Sequence, residues 1–163
     1  MRTWVFQGNP ERFDIESYLT ASPKRIAWRV ARYADEMSVG DQVFIWRSQG
    51  AEKENAGIMA EAEIASPVRR MFDDPVARPF WRDPKEASIE TNRVWLDIRR
   101  VANKRQMLKR DWLKEEPALR GMLILQQAAG TNFPVTRSEQ KRGAGLDTCR
   151  GRCGPVGLRT NVR

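Results

Sequence analysis

Three of the six tryptophans in the sequence lie where packing of a predicted core does not account for them. Trp28, Trp81 and Trp112 stand outside the apolar patterns, whereas the other three fall in strand-like runs. Planar side chains near basic groups are the parts that bind an unstacked nucleobase. The rings stack on its faces, polar groups read its edge, and cations hold the phosphates. The composition therefore favours nucleic-acid binding.

The sequence contains no histidine, which excludes several classes of catalysis. Ser-His-Asp and Cys-His mechanisms are ruled out, and the commonest zinc ligand is missing. Cys149 and Cys153 are the only cysteines, so a zinc site built on them would need two carboxylates as well. The sequence also lacks a phosphate-binding loop that ends in Lys-Ser or Lys-Thr. We therefore expect no cofactor.

Acidic residues keep one enzymatic alternative open. Asp73, Asp74 and the run Asp83-Pro84-Lys85-Glu86 lie in a proline-rich stretch, and a metal-dependent nuclease needs converging acids and a lysine. The same residues are also typical of solvated turns. A metal-dependent enzyme acting on nucleic acid is thus one of the alternative functions.

The formal net charge of +8 indicates a polyanionic partner, although the charge is unevenly distributed. Residues 137–163 hold seven basic and two acidic residues, or +5, which leaves +3 for residues 1–136. Within that region one basic stretch could track phosphates, or it could be an ordinary solvated surface. The candidate phosphate-binding residues are Arg93, Arg99, Arg100, Lys104, Arg105, Lys109 and Arg110, with Lys114 beside them.

A run of branched and aromatic residues at 40–48, GDQVFIWRS, is the strongest predicted strand among the elements that position these side chains. Alternation places Val43 and Ile45 on one face and Phe44 and Trp46 on the other, so both faces are apolar, as in a central strand. A second run at 56–64 completes a predicted hairpin, and residues 3–7 and 93–101 are predicted strands.

A helix is predicted to start at Ser22-Pro23 and to precede Gly40. Ile26, Val30, Tyr33 and Met37 follow helical spacing and form its core stripe. In that helix Trp28 lies roughly 200° from Ile26, on the polar face. Either a loop covers Trp28 or its ring lines a pocket.

The remaining elements are less regular. Residues 66–92 are predicted to form a long ordered loop, residues 103–122 two helical pieces broken near Pro117, and residues 123–125 a strand. Residues 1–136 then make one domain, and residues 137–163 are a basic, glycine-rich tail that we expect to be mobile. No apolar run approaches the ~18 residues of a membrane helix, so we expect a soluble, cytoplasmic protein.

Three separated motifs resemble the EVE domain, a PUA-like family related to YTH readers. They are WVFQGNP at residues 4–10, GDQVFIWRS at residues 40–48 and GTNFPVT at residues 130–136. The resemblance implies an α+β, PUA-like fold: a strongly curved mixed β-barrel flanked by helices. It also implies a pocket for a modified nucleobase, in DNA or alternatively in RNA. After Thr136 the sequence departs from the family, because a glycine- and arginine-rich stretch replaces the expected closing helix.

By position, the resemblance places Trp28 as the cage tryptophan and Asn9 in the loop that supplies a polar contact. Trp81 would form a second wall. The other residues it implies at the pocket are Asn132, Phe133, Arg47 and Ser48. The predicted function is a non-enzymatic reader of a flipped, modified base, whose partner is nucleic acid carrying that base. An RNA-binding accessory domain that ignores modification is the alternative.

Overall fold

The computed structural model describes residues 1–21, 23–103, 105–127, 129–139 and 141. They form eight strands: β1 Thr3–Gly8, β2 Arg25–Arg29, β3 Gln42–Arg47, β4 Gly57–Ile64, β5 Arg69–Met71, β6 Thr91–Val101, β7 Leu108–Lys109 and β8 Asn132–Val135. Four short α-helices lie wholly within the described residues before β8 ends: α1 Ile15–Thr20, α2 Pro84–Ala87, α3 Arg110–Glu115 and α4 Leu123–Gln126. None of the described helices is long and apolar enough to cross a membrane.

The strands join in one mixed sheet that curls into a half-barrel, in the order β2-β6-β4-β3-β1-β8. The β1–β3 pair is parallel and the other pairs are antiparallel. Register shifts at Ile45/Trp46 and at Glu61/Ala62 add local twist. The predicted strongly curved mixed sheet flanked by helices is therefore confirmed.

Strand β3 lies at the centre of this sheet, as its two apolar faces predict. Val43 and Ile45 belong to one buried cluster, and Phe44 and Trp46 belong to a second cluster on the opposite side. Gly40 adopts a positive φ of 91° in the turn that leads into the strand. The hairpin from β3 to β4 also matches the prediction.

The predicted helix from Pro23 to Met37 is wrong, because its first part is β2. Ile26 and Val30 fit helical spacing, but together with Trp28 they also follow a period of two, and all three are buried in one cluster. Pairing with β6 supplies the backbone hydrogen bonds of this segment, so the strand conformation is favoured over the helix. Trp28 therefore shares a face with Ile26 instead of lying opposite it.

Two further predictions are corrected between β6 and β8. The first predicted helical piece is not helical at its start. A turn and the short strand β7, which pairs with β4, come first, and α3 begins only at Arg110. The predicted strand at residues 123–125 is the short helix α4, which packs Ile124 and Leu125 into the second cluster. A run of three apolar residues fits either element, and the sheet edge here is taken by β8.

The predicted loop at residues 66–92 is ordered into short elements. It contains β5, a 3₁₀ turn at Pro75–Phe80 and helix α2. Asp74 caps the 3₁₀ turn and Asp83 caps α2, each followed by a proline that suits the first helical position.

The chain enters a helical turn just after β8. The N–H of Thr136 donates to Glu139, whose own N–H donates to the Thr136 hydroxyl. This reciprocal pair is a capping box that the sequence analysis missed. The rest of the predicted tail, including Cys149 and Cys153, lies outside the described residues, so the domain boundary at residue 136 stays a prediction.

Candidate functional site

A cavity of about 320 Å³ lies where the ends of β1 and β2 approach the start of β8. Its lining comes from residues 7–8 of β1, residues 9 and 12–13 after β1, residue 18 of α1, residues 27–29 of β2, residues 73 and 81 of the loop segment, residue 93 of β6 and residues 130–131. The volume is at the lower end of the range for small-ligand pockets. The site therefore has room for one planar ring system.

Trp28 forms part of the cavity wall from strand β2. It is only 8% exposed, and its indole lies against the backbone of β1 at Gly8. A Cβ at Gly8 would lie 3.3 Å from the Trp28 ring and 2.9 Å from Ile15, so glycine permits this close approach. Trp28 was predicted to line a pocket from the polar face of a helix. It lies on strand β2 instead, and this strand brings its ring to the cavity.

A second aromatic wall consists of Phe13 and Trp81. Their ring centroids are 5.0 Å apart, and their backbones form an isolated β-bridge. The indole Nε1–H of Trp81 donates to Asp73 Oδ2 over 2.7 Å. This hydrogen bond fixes the plane of the Trp81 ring at the cavity.

The polar part of the wall is a buried ion pair between Asp73 and Arg93, with Oδ1 and Nη1 3.3 Å apart. Burial raises the pKa of the Asp73 carboxyl against the opposing effects of Arg93 and the Trp81 hydrogen bond. Burial likewise lowers the pKa of Arg93, while Asp73 acts against that shift. Each charge compensates the other, and both side chains are almost fully buried.

Two polar atoms at the cavity have no hydrogen-bond partner among the described residues. They are Tyr18 Oη and Arg93 Nε, on side chains that are 2% and 3% exposed. Burial, together with the charges of Asp74 and Asp73, raises the pKa of the Tyr18 hydroxyl, so it stays protonated at neutral pH. Both atoms are hydrogen-bond donors on residues that line the cavity.

The structure places Asn9 at the cavity, as predicted, but its side chain also organises the loop. Asn9 Oδ1 accepts the N–H of Glu11, and its carbonyl accepts the N–H groups of Arg12 and Phe13. Asn9 therefore holds the turn that brings Phe13 to the cavity wall.

The other four predicted pocket residues do not line the cavity. Asn132 is buried and bridges β8 to the end of β2, where it accepts from the N–H of Ala31 and donates to the Arg29 carbonyl. Phe133 packs in the second cluster. Arg47 is buried against Glu16 and Glu52, and the N–H of Ser48 donates to the Gly8 carbonyl.

Most of the predicted phosphate-binding residues already have protein partners. Arg99 pairs with Glu63 over 2.9 Å and Arg100 with Glu61 over 2.7 Å. Lys109 lies over the Trp112 ring, Arg110 donates to Gln49 and Arg93 is in the cavity. Arg105 is exposed, and Lys104 lies outside the described residues. The structure thus does not gather this set into one free cationic surface.

Phe13, Tyr18 and Asp73 are among the cavity residues that were not predicted from the sequence. Phe13 and Tyr18 carried a signal, since both are large aromatics in a segment with little apolar pattern. Asp73 was weighed only as one of several loop acids. Its partner Arg93 lies 20 residues further along the chain, a pairing that spacing does not reveal.

The loop acids considered for metal catalysis have structural roles. Asp83 Oδ1 accepts the N–H of Lys85, and Glu86 pairs with Arg12 over 2.6 Å. Within the described part of the chain, no group of three or more acidic or cysteine residues is placed to hold a metal ion.

The family model of the EVE domain matches residues 2–142. The chain belongs to the EVE domain family. A comparison with curated proteins found no match.

Solved structures share the PUA-like fold of this EVE domain. A hypothetical protein from Leishmania major has a TM-score of 0.63 at 22% identity, covering 93% of this chain and 98% of its own. Rpa0253 from Rhodopseudomonas palustris has a TM-score of 0.62 at 19% identity, covering 91% and 94%. Human THYN1, solved in complex with DNA containing 5-methylcytosine, has a TM-score of 0.60 at 18% identity, covering 90% and 98%.

Proposed function

We propose that this EVE domain is a non-enzymatic reader that takes a flipped, modified nucleobase of DNA into the cavity between Trp28 and the Phe13–Trp81 wall. The observation that carries the proposal is the combination of aromatic walls with buried donors that lack a protein partner, Tyr18 Oη and Arg93 Nε. A nucleobase offers both complements, since it has two π faces and acceptors along its edge.

The choice of DNA rests on family membership and on THYN1, which shares the fold and is solved with 5-methylcytosine DNA. The aromatic rings supply stacking, which tolerates any base, so selectivity must come from the polar wall. Asp73 accepts hydrogen bonds while Arg93 and Tyr18 donate, and together they would read an edge that presents a donor beside acceptors.

Variants of Trp81 test the proposal. Trp81→Ala removes one stacking wall, and we expect affinity for an oligonucleotide carrying the recognised base to fall about 5- to 150-fold. Trp81→Phe keeps a ring but loses the hydrogen bond to Asp73, so the loss should be smaller. Isothermal titration calorimetry at fixed salt measures both.

The matched control is Trp112→Ala. Trp112 is 38% exposed on α3 and does not line the cavity, so its removal should leave affinity unchanged. Trp28→Phe is the appropriate second cavity variant, because Trp28→Ala would leave a void in the core and cost roughly 3–5 kcal/mol of stability. Equal affinities for wild type, Trp81→Ala and Trp28→Phe would refute the assignment of the cavity.

A further inference from the structure

Three arginines lie side by side across three neighbouring strands next to the cavity. Arg93 of β6 pairs directly with Arg29 of β2 on one side and with Arg69 of β5 on the other. Residues paired in this way point to the same face of the sheet, with neighbouring Cβ atoms ~5 Å apart. Like charges at such positions repel, so this arginine row costs stability in the unbound protein.

Only the middle member of the arginine row has a clear counter-charge. Arg93 is buried against Asp73, and the other carboxylate whose charge reaches it, Glu86, is paired with Arg12. Arg29 and Arg69 are exposed, and the described residues provide no carboxylate partner for either. Two unneutralised guanidinium groups therefore flank the buried ion pair.

The arginine row lies at the edge of the cavity. Arg29 itself lines the cavity, and Arg69 lies two strand spacings away, roughly 10 Å. Two long arginine side chains can span that distance onto one phosphate or two consecutive phosphates. A base inside the cavity necessarily brings its own backbone phosphates to the cavity mouth.

We propose that Arg29 and Arg69 bind the backbone phosphates flanking the base that occupies the cavity, with Arg93 holding the row in place. This inference rests on the proposed function and replaces the basic stretch of β6 and α3 as the phosphate-binding surface. The difference is physical: Arg99 and Arg100 are already neutralised by Glu63 and Glu61, whereas Arg29 and Arg69 are not.

The salt dependence of DNA binding tests this assignment. The probes are a duplex with one 5-methylcytosine and its unmodified twin, each titrated between about 50 and 200 mM salt. Loss of one phosphate contact reduces the slope of log affinity against log salt by about 0.9. For Arg29→Gln and for Arg69→Gln we therefore expect the wild-type advantage to grow about threefold from the high to the low salt concentration. Both duplexes should be affected equally.

Arg99→Gln and Arg100→Gln are the matched controls on the same sheet, and we expect their slopes to equal that of wild type. Thermal unfolding gives a second readout, because removing either outer arginine relieves repulsion and should not lower the melting temperature. Wild-type slopes for Arg29→Gln and Arg69→Gln would overturn the phosphate site.

The same titration separates this failure from failure of the proposed function. If wild type binds both duplexes equally while the two slopes fall, the phosphate site holds and recognition of 5-methylcytosine is wrong. If wild type prefers the modified duplex but neither slope changes, the reader function holds and the phosphate site is wrong.

Discussion

The carboxylate of Asp41 connects the start of the chain to the turn before β3. It is 2% exposed and accepts hydrogen bonds from the backbone N–H of Arg2, the indole N–H of Trp4 and the N–H of Ser38. Burial alone would raise the pKa of this carboxyl, but the hydrogen bonds and the positive amino terminus outweigh burial, and the pKa lies below its ordinary value. Asp41 therefore stabilises the fold in its ionised form.

The depressed pKa predicts how stability depends on pH. Because the folded pKa lies below the unfolded value of about 3.9, the contribution is present above that pH and is lost as pH falls through the folded pKa. Asp41→Asn should lower the free energy of unfolding by about 1.5–3 kcal/mol near neutral pH. Urea titrations at about pH 7 and pH 3 should show this gap narrowing in acid, and an equal gap at both pH values would contradict the role of ionisation.

Asn132 closes the half-barrel at the scale of elements. Strand β2 is an edge strand that pairs only with β6 in the sheet order, and β8 is the opposite edge. The Asn132 side chain joins the two edges through its bonds to Ala31 N–H and the Arg29 carbonyl, at 2.8 Å and 3.1 Å. Since β2 carries Trp28 and Arg29, this amide ties a wall of the cavity to β8.

Removing that amide should loosen β2. Asn132→Ala leaves two part-buried backbone groups without partners, at roughly 1–3 kcal/mol each, so we expect a loss of about 2–6 kcal/mol in urea unfolding. Amide hydrogen exchange at Ala31 should speed up as well. Asn132→Asp keeps the acceptor for Ala31 N–H but places a carboxylate oxygen against the Arg29 carbonyl, so it should destabilise the protein while Ala31 stays protected from exchange. Wild-type stability and exchange in Asn132→Ala would contradict the closing role.

The elements that could be predicted are those with a single consistent pattern. Two-sided apolar alternation at Val43–Trp46 defined the central strand, and alternation from Val94 to Ile98 defined β6. The segment around Trp28 could not be assigned in this way, because Ile26 and Val30 fit both a period of two and a helical stripe. Pairing with β6, a contact made far along the chain, decides between them.

Only three of the predicted pocket residues, assigned by their position in the family resemblance, line the cavity. Trp28, Trp81 and Asn9 line the cavity, but Asn132 and Phe133 are adjacent to cavity residues Gly130 and Thr131 and turn elsewhere. The polar wall depends on the Asp73–Arg93 pair, which exists only once β5 and β6 lie side by side. The arginine row likewise depends on the register of β2 and β5 against β6, and the spacing of its residues along the sequence does not reveal it.

At the scale of the whole molecule, the curl of the sheet explains where the cavity lies. Two buried clusters occupy the two faces of the central strands, and the cavity lies where β2 and β8 fail to pair. The exposed arginines beside that gap add the charge that a polyanion requires. The proposed base site and the proposed phosphate contacts are therefore neighbouring parts of one geometry.

The central claim is that a modified base enters this cavity, and tryptophan fluorescence measures it most directly. We would titrate the Trp112→Phe protein, whose remaining tryptophans include both cavity rings, with oligonucleotides carrying 5- and N6-modified bases at fixed salt. We expect quenching of the tryptophan fluorescence and an affinity at least about fourfold higher for one modified base than for its unmodified twin. This factor corresponds to the free energy of burying one methyl group. Equal affinity for every modified and unmodified oligonucleotide would contradict it, and would instead favour an RNA- or DNA-binding domain that ignores modification.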